Sequence, residues 1–353
     1  MNNRLSRLRE ELARKEIGAF LVSQPENRYY LSGFDGSAGY LLITADRAVL
    51  ATDFRYVEQA KNQAPGFTIF KMTGEMGKWL PELANDCKEE KIGFEAGDIT
   101  FKTYRQMSQI LKGQGTGLVP LEGLVESLRA VKETGEFEFI TRAAEIADRA
   151  FEHIADTIQP GMTEKDAAWA VEKFLRENGS QRLPFTIIVA SGPNAALPHA
   201  TPTDRAIGKG EPVVIDLGAR CGGYCSDLTR TICLGSPDET FRKVYDIVLG
   251  AQLTALAIIK EGITGEEADS LARTVIAEAG YGEAFGHALG HGVGLSPHEM
   301  PRLGPAAQDK IVSGTVFTVE PGIYLPVWGG VRIEDLACME DSKVKIISKA
   351  RKV

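Results

Sequence analysis

The sequence predicts a two-domain protein of the α/β (α+β) class, in which an N-terminal α/β domain of residues 1–125 precedes an internally duplicated domain of residues 126–353. The chain has 353 residues, which is long for one average domain. In the first half, short apolar runs alternate with helical patterns, as in a sheet covered by helices. In the second half, a helical segment and the strands after it occur twice in the same order, which indicates a pseudo-twofold duplication.

The first half is predicted to form a mixed sheet with flanking helices. Its helical patterns cover 53–64 and 74–90. Its predicted strands are 19–23 (AFLVS), 39–44 (GYLLIT) and 48–52 (AVLAT). An amphipathic helix is expected before them, with Leu5, Leu8 and Leu12 along one stripe.

A long amphipathic helix is predicted near the start of the second domain. The domain boundary is expected between Leu121 and Thr134, where a short apolar stretch gives way to the helical pattern of 132–158. Thr134 is the predicted N-cap, because acidic residues follow it in the first turn. His153 lies in the middle of this helix and is expected to have a structural role only.

The duplication is read from an ordered series of matches. Residues 160–179 resemble 261–280, and Gly161 matches Gly262 at an offset of 262 − 161 = 101. In both copies a threonine with nearby acidic residues opens a helix and a glycine closes it. Three further pairs follow in order: Pro198–His199 with Pro297–His298, VVID (213–216) with FTVE (317–320), and GGYCSD (222–227) with GGVRIE (329–334). Each copy therefore supplies one histidine and two carboxylates to a shared centre.

Four carboxylates occupy strand positions where isolated charges are costly. Asp216 ends an apolar strand and Asp227 lies in the next predicted strand, 224–232, so two antiparallel strands would bring them side by side. Glu320 ends FTVE, and Glu334 lies between apolar residues. Such a group of like charges needs protons or cations. Two simpler interpretations stay open: one aspartate is an exposed turn residue, or Glu334 pairs with Arg332.

Three of the five histidines fall within 286–302, GHALGHGVGLSPHEMPR. The glycine spacing does not match a GxGxxG phosphate loop, and no clear strand precedes it. Together with His199 in the other repeat, the histidines favour a site rich in oxygen ligands with some imidazole. Such a site suits Mn, Mg or Co better than a structural zinc, and two cations there would activate one water. The glycines are interpreted as clearance for a backbone that passes close to metals and substrate.

Composition argues against several other classes. The net charge of −8 disfavours a nucleic-acid binder, and no apolar run approaches the roughly 20 residues that span a bilayer. The N-terminus lacks a signal-peptide pattern. The odd, scattered cysteines form no disulfide framework, and Cys221 and Cys225 lack a second pair at zinc-finger spacing. We therefore expect a cytoplasmic protein without nucleic-acid or membrane partners, and a solvated or frayed tail at Lys349–Lys352.

These motifs resemble those of the pita-bread metallopeptidases, a family that includes aminopeptidase P, Xaa-Pro dipeptidase (prolidase) and methionine aminopeptidase. The motifs are VVIDLG with SDLTRT, GHALGHGVGLSPHE, FTVEPGIY and VRIED, and the resemblance runs from Ser127 to the end of the chain. The first half, with YYLSGFDGSAGYLLIT and TDFRYVEQA, resembles the creatinase-type N-terminal domain of prolidases and aminopeptidases P. Methionine aminopeptidases lack this domain. The resemblance implies a creatinase-type α/β domain followed by a pita-bread catalytic domain.

The resemblance also implies a centre of two divalent ions, Mn or Co, with Zn as a third candidate. Asp227 and Glu334 would bridge the ions, Asp216 would complete one site, and His291 and Glu320 would complete the other. A water between the ions would attack the scissile carbonyl, and Glu320 would relay its proton to the leaving nitrogen. The remaining implied roles are substrate contact by His199 and His298, pocket lining by His287, carboxylate binding by Arg302, and support of Glu334 or the substrate by Arg332.

The implied activity is hydrolysis of the Xaa-Pro peptide bond. That bond has no N–H, so a site acting through the carbonyl suits it. A dipeptidase is expected first, because the chain is short and Arg302 suits the carboxylate of a dipeptide. An aminopeptidase P, acting on longer peptides, is the alternative. A non-catalytic peptide- or protein-binding module and a metal-free, creatinase-like hydrolase are disfavoured, because all five implied ligands are present. The family usually forms dimers, so a homodimer is expected.

Overall fold

The structure, a computed structural model, describes residues 3–85 and 90–352. It divides into two compact units, Met1–Arg129 and Ala130–Val353. The predicted boundary after Val125 lies 129 − 125 = 4 residues before this division. Cys87, and the part of the predicted 74–90 helix at 86–89, lie outside the described residues.

The first unit is built on a six-stranded mixed sheet with the order β4-β3-β2-β1-β5-β6. The strands are β1 (Ala19–Val22), β2 (Tyr40–Thr44), β3 (Ala48–Thr52), β4 (Thr68–Lys71), β5 (Lys91–Glu95) and β6 (Gly117–Leu121). The helices are α1 (Asn3–Arg14), α2 (Pro25–Ser32), α3 (Val57–Gln63), α4 (Met76–Asn85), α5 (Phe101–Lys112) and α6 (Leu124–Ala130). β2 is antiparallel to both of its neighbours, whereas β1–β5, β3–β4 and β5–β6 are parallel.

The mixed α/β architecture of this unit confirms the prediction from sequence. All four residues of β1 are buried, as expected of a short, continuously apolar strand in the middle of a sheet. In α1, Leu5, Leu8 and Leu12 are buried, because their spacing places them on one face of the helix.

The second unit combines four long helices with twelve short strands among the described residues. The helices are α7 (Thr134–Thr157), α8 (Glu164–Glu177), α9 (Glu239–Ile258) and α10 (Gly265–Glu278). The first six strands are β7 (Ile188–Ser191), β8 (Pro212–Leu217), β9 (Arg220–Cys221), β10 (Tyr224–Cys225), β11 (Leu228–Cys233) and β12 (Gly290–Gly292). The others are β13 (Glu299–Leu303), β14 (Val316–Val319), β15 (Gly322–Leu325), β16 (Gly329–Arg332), β17 (Asp335–Glu340) and β18 (Lys343–Ile346).

The two copies of the repeat fold alike. α8 and α10 have 14 residues each, and their starts are offset by 265 − 164 = 101 residues. Thr163 and Thr264 are the N-caps, and each side chain accepts a hydrogen bond from the backbone N–H three residues later, at 3.0 and 3.2 Å respectively. These reciprocal capping boxes satisfy free donors at the start of each helix.

The repeats meet where strands of the first repeat contact strands of the second. The first repeat has a sheet with the order β11-β8-β7, and the second has a sheet with the order β13-β12-β14-β17-β18 and a two-stranded sheet, β15-β16, that carries Arg332. Thr231 on β11 donates its hydroxyl to the carbonyl of Arg332 at 2.9 Å and accepts the N–H of Arg332 at 3.0 Å. Thr229 accepts the N–H of Glu334 with its carbonyl at 3.0 Å. These bonds bring the ends of strands from both repeats to one place.

Three local predictions were wrong. Glu133, not Thr134, occupies the N-cap of α7, and its N–H is satisfied by the Glu136 carboxylate at 2.9 Å. The predicted strand 224–232 is broken between β10 and β11, so Asp227 lies in the break. Glu334 likewise lies between β16 and β17 and not within a strand. In both breaks the carboxylate residue leaves the regular ladder, which frees its backbone to turn.

The prediction of solvated surface or a frayed tail at Lys349–Lys352 was right in part: Lys349 and Arg351 are exposed, but the backbone of the segment is bound and not frayed. Lys349 and Ala350 donate their backbone N–H groups to the two oxygens of Asp148 at 2.8 and 2.9 Å. Ala350 is 6% exposed and packs in the core beneath α7 and α8. This segment, with three basic residues among its four, is therefore bound to the domain through its backbone as well as its side chains.

Candidate metal centre and active site

All ten residues predicted for the site line one cavity of about 700 Å³ in the second unit. They come from both repeats and from the histidine-rich segment. The set is Asp216, Asp227, His291, Glu320, Glu334, His199, His287, His298, Arg302 and Arg332. His153 is not among the residues lining the cavity; it stacks on Phe174 with ring centroids 4.7 Å apart.

The first repeat supplies two aspartates on neighbouring strands. Asp216 lies on β8 opposite Thr229 of β11. Asp227 lies in the break just before β11, two residues before Thr229. Asp227 is buried, at 5% exposure. Both carboxylates line the cavity.

The second repeat supplies two glutamates at strand ends. Glu320 directly follows β14, and its backbone N–H donates to the carbonyl of Leu289 at 2.8 Å. Glu334 follows β16 and is 2% exposed. The Thr229 hydroxyl donates to Glu334 Oε2 at 2.7 Å, and the Thr318 hydroxyl lies 3.2 Å from Glu320 Oε1. A threonine thus fixes the rotamer of each glutamate.

His291 presents one ring nitrogen to the carboxylates. Its Nδ1 lies 3.1 Å from the carbonyl of Gly292, which requires a proton on Nδ1. Burial acts to lower the pKa of His291, but the hydrogen bond and charge of Glu320 outweigh it and raise this pKa. Loss of the Nε2 proton leaves Nε2 as an acceptor, with the remaining proton on Nδ1. Nε2 lies 3.2 Å from Glu320 Oε1 and 3.8 Å from Asp227 Oδ2. This is the tautomer in which histidines bind metal ions, with the second nitrogen held by a backbone carbonyl.

The pKa values of the carboxylates reflect the cost of burying several negative charges close together. Burial, and then the negative charge of Glu334, raise the pKa of Asp227 well above its ordinary value. Burial, and then the charge of Glu320, do the same for Glu334. Burial also acts to raise the pKa of Glu320, but the hydrogen bond and charge of His291 outweigh it and hold this pKa at about 2. Without a cation, the site relieves repulsion through protons.

The residues fit a divalent cation. Ligand atoms of Asp227, His291 and Glu334 all lie within 4.8 Å of one another. Asp216 Oδ1 is buried at the cavity and has no hydrogen-bond partner among the described residues. A buried carboxylate oxygen without a donor is costly, and a cation would satisfy it. The set of four carboxylates and one imidazole is the hard, oxygen-rich donor set that Mn²⁺ and related ions prefer.

A directed chain of hydrogen bonds supports one wall of the cavity. Arg332 Nη2 donates to Asp216 Oδ2 at 2.7 Å, and its Nη1 donates to the Tyr324 hydroxyl at 2.9 Å. The Tyr324 hydroxyl lies 2.9 Å from His287 Nε2, and His287 Nδ1 lies 2.8 Å from the carbonyl of Ala288. The proton on Nδ1 leaves Nε2 to accept from Tyr324. Burial lowers the pKa of His287, which agrees with this neutral ring.

Three predicted substrate residues lie on the open side of the cavity. The His298 ring is 4.2 Å from that of His291, centroid to centroid. His298, His199 and Arg302 are exposed. Among residues 3–85 and 90–352, no acceptor binds the Arg302 guanidinium. These groups are therefore available to a molecule that enters the cavity.

Two glycines of the histidine segment allow close packing against neighbouring strands, and Gly290 also lines the cavity. A Cβ on Gly290 would collide with the carbonyl of Thr318, and one on Gly292 would collide with the carbonyl of Met300. These atoms belong to the neighbouring strands β14 and β13. The glycines let β12 pack between its neighbours, and through that packing they fix His291.

Sequence reasoning missed Tyr324, Thr229 and Thr318. Thr229 lies two residues after Asp227, and Thr318 lies two before Glu320. Side chains two residues apart on an extended chain share a face, so this spacing could have identified both threonines. Tyr324 had no such signal, because its contact with His287 depends on the turn between β14 and β15.

The duplicated fold and the cluster of carboxylates with a histidine define a metal-dependent hydrolase of the α/β (α+β) class. Residues 138–341 match the family model of metallopeptidase family M24, and residues 4–131 match that of the creatinase/prolidase N-terminal domain. The chain belongs to metallopeptidase family M24 and carries a creatinase/prolidase N-terminal domain. Membership of this family implies divalent metal ions, as the donor set in the cavity does.

Relatives match over almost the whole length. The chain is 37% identical to an Xaa-Pro dipeptidase of Pyrococcus furiosus, across 100% of this chain and 99% of that protein. The structure of an Xaa-Pro dipeptidase from Bacillus anthracis is similar at a TM-score of 0.96 and 41% identity, covering 99% of this chain and 98% of that one. An X-Pro aminopeptidase from Thermotoga maritima is similar at a TM-score of 0.90 and 37% identity, covering 99% of this chain and 98% of that one.

None of the described helices combines the length and the apolar character that crossing a membrane requires. Cys221, Cys225, Cys233 and Cys338 are free thiols. Burial raises the pKa of Cys225 to about 12, so this thiol stays protonated and unreactive at neutral pH.

Proposed function

We propose that this chain is an Xaa-Pro dipeptidase that hydrolyses the peptide bond before proline in dipeptides. The observation that carries the proposal is the convergence of Asp227, His291 and Glu334, with ligand atoms within 4.8 Å of one another, in a cavity that also holds free cationic and imidazole groups. The full-length similarity to Xaa-Pro dipeptidases supports the substrate class.

We assign two divalent ions to the cavity, Mn or Co first and Zn third, with Asp216, Asp227, His291, Glu320 and Glu334 as ligands. When bound, such ions supply Lewis-acid polarisation of a carbonyl and a nucleophilic water at neutral pH. Glu320 is the proposed proton carrier, since its carboxylate lines the cavity beside the other proposed ligands.

The remaining residues would bind and orient the peptide. His298 and His199, both exposed to the cavity, would donate hydrogen bonds to the oxygen on which negative charge develops. Arg302 would pair with the carboxylate of the dipeptide, a charge-assisted contact that a rigid guanidinium favours. His287 and Arg332 would keep the wall of the cavity in place through Tyr324.

The experiment that tests the proposal compares peptides of different length. The purified chain, loaded with Mn²⁺, is assayed on an Xaa-Pro dipeptide and on the matching Xaa-Pro-Yaa tripeptide. The proposal expects faster turnover of the dipeptide. Faster cleavage of the tripeptide would identify an aminopeptidase instead, a second candidate that the Thermotoga maritima structure favours. Cleavage of neither would leave a binding module.

We also propose a homodimer located in the cytoplasm. The support is the usual assembly of the family that the motifs resemble, and free thiols that suit a reducing compartment. Analytical ultracentrifugation of the purified chain measures the assembly, and a monomer at micromolar concentration would contradict this part of the proposal.

A further inference from the structure

The C-terminal segment, residues 349–352, is bound to the framework behind the cavity. Beyond the two backbone bonds to Asp148, the N–H of Arg351 donates to Glu152 Oε1 at 2.9 Å. Lys352 Nζ lies 2.7 Å from Asp335 Oδ2. α7 therefore holds one side of the segment, and β17 holds the other.

The Arg230 guanidinium connects this segment to the strand that carries Glu334. Arg230 lies on β11, and its side chain is 1% exposed. Its Nη2 donates to the carbonyl of Ala350 at 2.8 Å, and its Nε donates to the carbonyl of Arg351 at 3.1 Å. The same Nη2 donates to Asp335 Oδ1 at 2.7 Å.

The other arm of this guanidinium reaches Glu334 itself. Arg230 Nη1 donates to the carbonyl of Glu334 and to the carbonyl of Thr229 at 3.0 Å. Thr229 in turn accepts the backbone N–H of Glu334 and donates its hydroxyl to the Glu334 carboxylate. Glu334 lies in a break between strands, so no regular ladder holds its backbone. Hydrogen bonds from Arg230 and Thr229 hold the backbone of Glu334 instead.

We infer that Arg230, held by the clamped segment 349–352, is a positioning residue for the Glu334 carboxylate and raises the affinity of the cavity for divalent cations. The inference rests on the cation site of the proposed function. A ligand carboxylate tilted away from its place loses affinity, and partners behind metal ligands contribute about 10- to 100-fold. Arg230 touches no predicted ligand side chain, so its effect passes through the backbone of Glu334.

A purely electrostatic role predicts the opposite sign. Arg230 is a cation near a cation site, so its charge alone would weaken metal binding. Arg230→Lys separates the two effects, because it keeps the charge but cannot reach Glu334, Asp335 and both tail carbonyls at once. Positioning predicts weaker Mn²⁺ binding in this variant, whereas an electrostatic role predicts no change.

A second variant releases the segment without touching Arg230. Asp148→Asn disturbs the acceptor pair for Lys349 and Ala350, since the amide group presents a donor to one of two N–H groups. Asp204→Asn is the matched control: it makes the same change of charge, and Asp204 pairs with Lys165, an exposed residue outside the segment 349–352, at 2.8 Å. The control is expected to bind Mn²⁺ as the native chain does.

The test titrates Mn²⁺ alone into the metal-free, full-length chain and follows the electron paramagnetic resonance signal of free Mn²⁺. Arg230→Lys and Asp148→Asn are each expected to raise the Kd about 10-fold. Thermal unfolding, recorded beside each titration, identifies variants that are only destabilised. Native-like Kd values in both folded variants would overturn the inference, even if the unfolding temperature fell. A native chain that binds no Mn²⁺ would instead overturn the cation site of the proposed function.

Discussion

Arg332 and Asp216 form an ion pair across the two repeats, with 2.7 Å between Nη2 and Oδ2. Arg332 Nε also donates to the Thr229 hydroxyl at 3.1 Å, and that hydroxyl donates to Glu334. The simpler interpretation, in which Arg332 pairs with Glu334, was wrong. Arg332 holds a carboxylate from the other repeat, and Glu334 remains directed to the cavity with Asp227.

Loss of the Glu334 carboxylate should abolish peptidase activity. Glu334→Ala removes an oxygen ligand from the only described cluster of three ligand atoms in mutual reach, so we expect kcat/KM on an Xaa-Pro dipeptide to fall by at least about 10³-fold. The measurement is initial rate against substrate concentration with saturating Mn²⁺. His153→Ala is the control, because His153 is exposed on α7 and only stacks on Phe174. Comparable losses in both variants would mean that the site is elsewhere.

Divalent cations should stabilise the metal-free protein. The raised pKa values of Asp227 and Glu334 show that a neutralising partner is needed, and a cation would take the place of their protons. At 100 times its Kd, a ligand of the native state adds about 2.7 kcal/mol, which corresponds to a rise of about 5–10 °C in Tm for a domain of this size. Calorimetry with and without Mn²⁺ measures this shift in Tm.

The same experiment has a pH dependence with a definite sign. As pH falls, protons compete for Asp227 and Glu334, whose pKa values are raised, so the stabilisation by Mn²⁺ should shrink. The same Tm measurement with Mg²⁺ at equal concentration is the comparison. Mg²⁺ is expected to bind this site more weakly than Mn²⁺, because it dehydrates reluctantly. A Tm that no cation moves at any pH would contradict a metal centre in this cavity.

The repeat explains why so much of the site could be predicted from sequence. A duplication at a fixed offset identifies equivalent strand ends, and the chemistry of buried carboxylates then limits what those positions can do. Asp216 and Glu320 could be identified in this way, because each ends an apolar run in the sequence. The strand breaks at Asp227 and Glu334 could not be predicted from the sequence. The apolar residues on either side of each carboxylate have the same pattern whether the strand is continuous or interrupted.

The C-terminal segment shows the limit of composition as a guide. Lys349 and Arg351 are exposed charges, as composition suggests, yet the segment is also held by backbone N–H and carbonyl groups that every residue possesses. The information lies in its partners, Asp148 and Arg230, which are 201 and 120 residues away from the atoms they bind. No local pattern encodes such contacts.

Arg302 should determine the preference for short peptides. A charge-assisted contact with the substrate carboxylate is worth about 1.5–3 kcal/mol, so Arg302→Ala is expected to lower kcat/KM on the dipeptide about 10- to 100-fold, mainly through KM. The matching tripeptide, whose carboxylate lies one residue further on, should lose less. Arg176→Ala on α8, where the exposed Arg176 side chain pairs with half-buried Glu172, serves as the control. An equal decrease in kcat/KM on both peptides would show that Arg302 does not bind the substrate carboxylate.

The bidentate ion pair between Arg205 and Glu211, two residues that do not line the cavity, allows a prediction about the stability of the fold. The two terminal guanidinium nitrogens of Arg205 donate to the Glu211 carboxylate at 2.6 Å each, and the N–H of Gly208 donates to it at 2.6 Å as well. Burial acts to raise the pKa of Glu211, but the hydrogen bonds from Arg205 outweigh it and lower this pKa below its ordinary value of 4.5. A carboxylate whose pKa is lower in the folded state stabilises the fold above its unfolded pKa and loses that effect as pH falls through the folded one.

Glu211→Gln should therefore cost about 1 kcal/mol of unfolding free energy near neutral pH, since the pair is partly buried. The difference from the native chain should stay constant down to about pH 5 and shrink as pH falls below 4.5. Urea unfolding at a series of pH values measures it. Asp204→Asn is the control, because the pair of Asp204 with Lys165 is exposed, at 84% and 57% of the side chains, and should contribute almost nothing. A difference that persists unchanged to pH 3 would contradict the assignment, because by then protonation must have begun to remove the charge that Arg205 binds.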